Sequence, residues 1–143
     1  MKLSTRTRYG IRAVIELAQH EDKRPLQLKA IAERQGISIK YLEQLMGILR
    51  SAGFVRSVRG AKGGYVLGRP AGEITLYEVF RSLEGSFTTT ECVEDASSCE
   101  RSADCAARTV WVQVEEAIRR VLSGITLADL IEQPKNPAAQ YQI

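Results

Sequence analysis

Apolar positions recur at helical spacing along most of this chain. From about Ser4 to Gln19, Ile11, Val14, Ile15 and Ala18 stand at i, i+3, i+4 and i+7, while Arg6, Arg8 and Arg12 lie off that stripe, which predicts an amphipathic helix. The charged run Glu21 to Arg24 and then Pro25 end it. A short second helix follows from Leu28 to Gln35, with Leu28, Ile31 and Ala32 on one side. Gly36 stops it, since glycine tolerates the left-handed backbone of a helix C-terminus. Ser38 stands where an N-cap belongs, and a third helix runs to about Ala52, before Gly53. Its apolar face is Leu42, Leu45, Met46 and Leu49, and its polar face is Lys40, Glu43, Gln44, Gly47 and Arg50.

Two short helices joined by a tight glycine-containing turn, the second presenting polar groups outward, make a helix-turn-helix. The next stretch, Phe54 to Gly68, places Val55 and Val58 near one end, Tyr65, Val66 and Leu67 near the other, and Gly60, Gly63 and Gly64 between them. That pattern predicts a β-hairpin with a somewhat long loop, its tip carrying Arg59 and Lys62. From Arg50 to Arg69 there are five positive residues (Arg50, Arg56, Arg59, Lys62 and Arg69) and no acid. A helix-turn-helix followed by a basic hairpin is a winged helix.

Pro70 to Gly72 forms a joint, and Thr75-Leu-Tyr-Glu78 matches a capping box opening a helix to about Leu83. Gly85 to Asp104 is polar and aperiodic, and reads as a loop with at most a short turn of helix. A long helix spans about Ala106 to Ser123, with Val110, Val114, Ala117 and Val121 on one stripe and Trp111, Ile118, Leu122 and Ile125 on the adjacent one. So wide an apolar arc suits two partners, one stripe docking on its own domain and the other forming a homodimer seam. Thr126, with Asp129 in the capping-box position, opens a last short helix. The expected fold class is mainly α with a small β-hairpin. A winged helix-turn-helix DNA-binding domain occupies 1–72, the cysteine loop and dimerisation helices occupy 73–133, and a disordered tail occupies 134–143.

Charge sharpens this division. The 143 residues carry a bland net +3, but Met1 to Gly72 holds 14 Lys or Arg against 5 Asp or Glu (+9), and Glu73 to Ile143 holds 6 against 12 (−6). A basic first half suits a polyanionic partner. Near-average content of hydrophobic residues (44%) and charged residues (26%) argues against wholesale disorder. The N-terminus lacks the apolar stretch of a signal peptide and nothing is long enough to span a membrane, so the expected location is cytoplasmic. A single histidine, no phosphate loop and no catalytic constellation argue against an enzyme.

Major-groove readers set the N-terminal residues of a helix against base edges and flank them with positive groups on phosphate. Ser38, Lys40, Tyr41, Glu43 and Gln44 occupy that end of the third helix. Gln44 can pair with adenine and Glu43 can accept from cytosine, while Lys40 suits a phosphate. Arg59 suits a narrow minor groove or the backbone, with Lys62 beside it. Lys2, Ser4, Arg6 and Tyr9 are further phosphate candidates. A solvated charged face, or a winged helix used for protein contacts, is the competing reading of the same residues. The combination of turn, faced helix and acid-free wing favours duplex DNA.

The three cysteines lie in Cys92-x6-Cys99-x5-Cys105, among Ser, Asp and Glu. Buried structural cysteines keep apolar neighbours, so a metal or redox role is favoured over packing. Three thiolates suit a soft metal centre, whereas structural zinc prefers C-x2-C pairs, absent here, and a fourth ligand. A thiol switch also remains open.

The segments Ala30-Ile-Ala-Glu-Arg-Gln-Gly-Ile-Ser38, Tyr41-Leu-Glu-Gln-Leu45, Ser57-Val-Arg-Gly-Ala-Lys-Gly-Gly-Tyr65, the cysteine loop and Ile125-Thr-Leu-Ala-Asp-Leu130 together resemble the iron-sulfur cluster regulator (IscR) family. These homodimeric winged-helix transcription factors include the nitric-oxide sensor NsrR and the cysteine-metabolism repressor CymR. The resemblance implies a homodimeric regulator, acting as a repressor on a pseudo-palindromic duplex operator. It implies that Cys92, Cys99 and Cys105 ligate an iron-sulfur cluster, [2Fe-2S] favoured over [4Fe-4S], that modulates DNA binding. A cluster-free regulator answering to thiol redox, zinc or a protein partner is the alternative. One departure matters: the position where [2Fe-2S] members carry a ligating His is Arg108 here. The first-helix positions from which other relatives borrow a ligand are Arg8 and Arg12. Asp104, Glu94, Asp95, Glu100, Glu91, water or a small thiol are left for the fourth site. His20, at the end of the first helix, reads as a surface residue.

Overall fold

Where the sequence supplies a short hydroxyl side chain ahead of an apolar run, the chain starts a helix. The hydroxyls of Ser4, Ser38, Thr75 and Thr126 each accept from the backbone N–H three residues on, opening α1 (Thr5–Gln19), α3 (Ile39–Ser51), α4 (Leu76–Glu84) and α7 (Leu127–Ile131). Thr75 with Glu78, and Thr126 with Asp129, complete reciprocal capping boxes. Each such cap is worth about 1 kcal/mol. Between α1 and α3 lies α2 (Leu28–Gln35), closed by Gly36 in the left-handed region at φ 67°. This computed structural model describes residues 2–20 and 24–132; the expected tail at 134–143, and Glu21 to Lys23 of the charged run, lie outside them.

The wing follows α3 as β1 (Val55–Val58) and β2 (Gly64–Leu67), antiparallel and in register from Val55 opposite Leu67 to Val58 opposite Gly64. A third segment, not anticipated from sequence, joins its edge: Leu26 and Tyr65 exchange both backbone hydrogen bonds at 2.9 Å. The wing is thereby stitched to the chain entering α2. The stitch explains Gly64, whose Cβ would lie 2.5 Å from the Leu26 carbonyl oxygen at a φ of +149°. Gly63 is held as tightly, with a Cβ position 2.2 Å from the Val58 carbonyl oxygen.

The core is one cluster, and it does not stop at the expected boundary after Gly72. Ala13, Val14 and Leu17 of α1, Ile31 of α2, and Leu42, Leu45, Met46 and Leu49 of α3 are joined by Ile74, by Val79 and Leu83 of α4, and by Leu127 of α7. Stripes on α1 and α3 too wide for the small α2 alone to cover recruit helices from beyond the joint. The starts of α4 and α7 lie side by side, with Leu76 N–H donating to the Ile125 carbonyl at 2.8 Å and Leu127 N–H to the Ile74 carbonyl at 3.0 Å.

The stretch Gly85 to Asp104 carries slightly more structure than a loop. It holds α5 (Glu91–Glu94) and a 3-10 turn at Ala96–Ser98, neither with a buried residue. Glu91 and Glu94 in the first turn suit the positive end of a helix. α6 (Ala106–Ser123) then runs for 18 residues without one fully buried side chain. It lies against α4 and α5, with Ile118 and Glu115 facing Tyr77, Phe80 and Phe87. Val110 and Val121, at the two ends of one stripe, are 50% and 58% exposed, while Val114 and Ala117 between them are half-buried. Trp111, on the adjacent stripe, is itself 41% exposed.

The glycines make a paired prediction for urea unfolding. Gly64→Ala should destabilise by about 1–3 kcal/mol through forced φ and contact with Leu26. Gly47→Ala, in mid-helix with nothing within 4 Å of its Cβ position, should stabilise by up to about 1 kcal/mol.

Candidate nucleic-acid interface and thiol segment

The polar face of α3 is available. Ser38 caps the helix, its hydroxyl accepting from Tyr41 N–H at 3.0 Å, and this cap fixes the first turn from which Lys40, Glu43 and Gln44 project, all exposed. Tyr41 is half-buried, its ring edge-on to Tyr9 of α1 with centroids 6.4 Å apart, and Arg12 lies 5.4 Å over the Tyr9 ring. The ring of Tyr9 is thus part of the seam between α1 and α3. At the wing tip Arg59 and Lys62 are exposed on a turn closed by Gly63 N–H to the Gly60 carbonyl at 3.0 Å. Arg56 is exposed on β1.

Arg69 differs from the other wing cations. The run free of acids in sequence is not free of them in space, because Glu78 of α4 reaches Arg69 at 3.2 Å. Arg69 also lies 5.5 Å over the Phe54 ring. Bonds from the Thr75 backbone and hydroxyl, with Arg69, hold the Glu78 carboxyl below its ordinary range despite partial desolvation.

The start of α1 is tied down by a residue that sequence reasoning passed over. Glu84, closing α4, accepts from the Ser4 hydroxyl at 2.9 Å, from Ser4 N–H at 3.4 Å and from the Thr7 hydroxyl; Arg6 Nε donates to the Leu83 carbonyl at 2.7 Å. Ser4 and Arg6, proposed from sequence for phosphate, are engaged within the fold, and Lys2 is exposed. A carboxylate at a helix N-terminus complements the helix dipole, but a glutamate 80 residues away carries no local signal of it.

The thiols are not gathered. Cys92, on α5, is half-buried with its sulfur 3.1 Å from the Thr90 hydroxyl; Cys99 is exposed; Cys105 is half-buried immediately before α6. Among the described residues no group of three or more His, Cys, Asp or Glu stands close enough to hold a metal ion. Two of the acidic candidates are engaged elsewhere. Glu94 accepts from the Ser86 hydroxyl at 2.6 Å, and Asp95 accepts from the Ser97 hydroxyl and N–H at 2.7 and 3.0 Å. Arg108, at the position of the missing ligand, donates its Nε–H to the Cys92 carbonyl at 2.9 Å. The donors are of the right chemical type for an iron-sulfur cluster, three in number, but their arrangement here does not fit one.

A family model described as Rrf2, an iron-dependent transcriptional regulator, matches residues 3–133. Protein rrf2 of Nitratidesulfovibrio vulgaris Hildenborough is 44% identical over 140 residues, covering 95% of this chain and 93% of its own. Of solved structures, T. potens IscR superposes with a TM-score of 0.75 at 41% identity, over 100% of this chain and 92% of its own. CymR, the global cysteine regulator of B. subtilis, superposes at 0.78 and 43% identity, over 92% and 96%. No helix among the described residues is long and apolar enough to cross a membrane.

Glu84 yields a pH prediction. The hydroxyls of Thr7 and Ser4 depress its pKa in the fold against the opposing effect of desolvation. A depressed carboxylate stabilises above its unfolded pKa, and that contribution fades as pH falls through the folded value. Wild type should therefore exceed Glu84→Gln in stability near neutrality, and the gap should close below about pH 4, as read by urea midpoints across pH.

Proposed function

The chain belongs to the Rrf2 family of iron-dependent transcriptional regulators, and we propose that it acts as a homodimer reading a pseudo-palindromic duplex operator. The observation that carries the reading is the exposed N-terminal turn of α3 beside an exposed basic wing tip, on a half of the chain that carries +9. Ser38, Tyr41, Glu43 and Gln44 face base edges, and Lys40, Arg59, Lys62 and Lys2 hold phosphate or the minor groove. Exposed Val110 and Val121, with Trp111 beside them on α6, support a dimer seam, since exposed large apolar residues grouped on one helix suit an interface. Two-fold symmetry then sets half-sites about 34–36 Å apart.

Salt tests this reading directly. Log affinity for operator duplex should fall with log salt by about 0.9 per phosphate neutralised, and Arg59→Ala and Lys62→Ala should each reduce that slope by about 1. Gln44→Ala should instead relax preference at one base pair by about 1–3 kcal/mol. Absence of duplex binding at low salt would end the reading.

The signal enters through Cys92, Cys99 and Cys105. Three cysteines of the soft-donor type, together with likeness to T. potens IscR, support an iron-sulfur cluster reading, which requires the thiols to be brought into an arrangement other than the one described above. A second reading, cluster-free control by thiol redox, zinc or a protein partner, is supported by the likeness to CymR of B. subtilis and by the arginine at position 108, where a cluster ligand is lacking. Anaerobic purification from iron-replete cells decides between them. The cluster reading expects iron and sulfide in the wild type and their loss in Cys92→Ala, Cys99→Ala and Cys105→Ala; iron-free wild type transfers the assignment to the second reading.

A further inference from the structure

Two carboxylates outside the proposed DNA-contacting and thiol-bearing residues tie the ends of one short segment to two different helices. Glu84 holds the first turn of α1 through Ser4 and Thr7. Glu115, in the middle of α6, accepts from the Thr88 hydroxyl at 2.7 Å, the Thr89 hydroxyl at 3.0 Å and the Thr89 N–H. Only Gly85, Ser86 and Phe87 lie between Glu84 and Thr88. Gly85 sits at φ +80°, a left-handed angle, and Phe87 rests edge-on against Phe80 of α4 with centroids 5.3 Å apart. Four residue steps, about 14 Å at full extension, are the most that can separate Glu84 from Thr88, so the two anchored ends stay close along the chain.

We infer that residues 84–89 form a strap that transmits movement of α6 to the N-terminal turn of α1, with Glu115 and Glu84 as the positioning residues at its two ends. The movement has a source at the start of α6: Cys105 is the residue before that helix, and Arg108 in its first turn grips the carbonyl of Cys92. It has a destination at α1, whose Tyr9 meets Tyr41 on the DNA-facing helix. The strap rests on the regulator reading for its purpose, while its geometry stands independently of it. Coupling between distant sites needs a demonstrated link rather than a chain of contacts, and this one can be measured.

The test uses the full-length protein in two arms. In the first, amide hydrogen exchange is followed for Thr7 and Arg8, whose N–H groups bond the Ser4 hydroxyl and carbonyl at 3.1 Å. Glu115→Gln, which touches only the far end of the strap, should speed their exchange roughly 2- to 30-fold, with α2 and α3 unchanged. A purely local role would raise exchange only in α6 and residues 85–90. Thr88→Val serves the same purpose should Glu115→Gln fail to fold, with a smaller shift in the same direction. In the second arm, Trp111, the chain's one tryptophan, lines a cavity of about 490 Å³ with Lys2, Glu84 and Thr89 and reports on α6. Saturating operator duplex should shift its emission in the wild type and shift it less in Glu115→Gln, because coupling is reciprocal. Unchanged α1 exchange in both variants overturns the strap even if duplex binds. Failure to bind duplex overturns the regulator reading and leaves the exchange arm to judge the strap.

Discussion

How closely α4 lies against α1 decides the rest of this molecule. Gly10 makes that approach. A Cβ at this position would stand 2.5 Å from Leu83 Cδ1, and Leu83 is 1% exposed, so the side chain has little room to withdraw. With α4 seated there, Leu83 and Val79 close the core that α1, α2 and α3 leave open. Its C-terminal carboxylate then falls beside the N-terminus of α1. Its N-terminal capping box falls beside that of α7, so the chain returning from the long helix is pinned to the same core through Leu127. Replacing Gly10 with a larger residue would therefore disturb the reader, the joint and the return segment together.

Much of this architecture is legible along the chain because it is written in local chemistry. Ser38, Thr75 and Thr126 cap the helices they announce, Gly36 closes the turn of the helix-turn-helix, and the glycines between Val58 and Tyr65 build the wing. Contacts between residues far apart in sequence are not written that way. Neither Glu84 nor Glu115 belongs to a motif, yet each satisfies backbone and hydroxyl donors that would otherwise face solvent or go unpaired. The pairing of Leu26 with Tyr65 likewise needs only one residue in extended backbone, too short for a strand pattern to register.

The candidate site divides in the same way. The polar face of α3 follows from helical periodicity, and exposure of Lys40, Glu43 and Gln44 agrees with it. At the thiol segment sequence identifies the donors but not their distances, since a polar aperiodic stretch has no repeat from which to project side chains. The same limit hides the part played by Arg108. Its place in the chain marks a missing ligand, and only the fold reveals that its guanidinium ties α5 to α6.

The long helix has a thermodynamic corollary. An 18-residue segment with no fully buried side chain is close to the length at which isolated helices are only marginally formed in water. For the proposed dimer, much of the free energy that holds α6 together would come from the second copy, so that order in this helix becomes a function of protein concentration. Dilution would then loosen the sensing half well before the winged-helix core, which is closed within a single chain. The number of copies in a cell would itself be an input to such a regulator, acting through the law of mass action on the helix that follows the last cysteine.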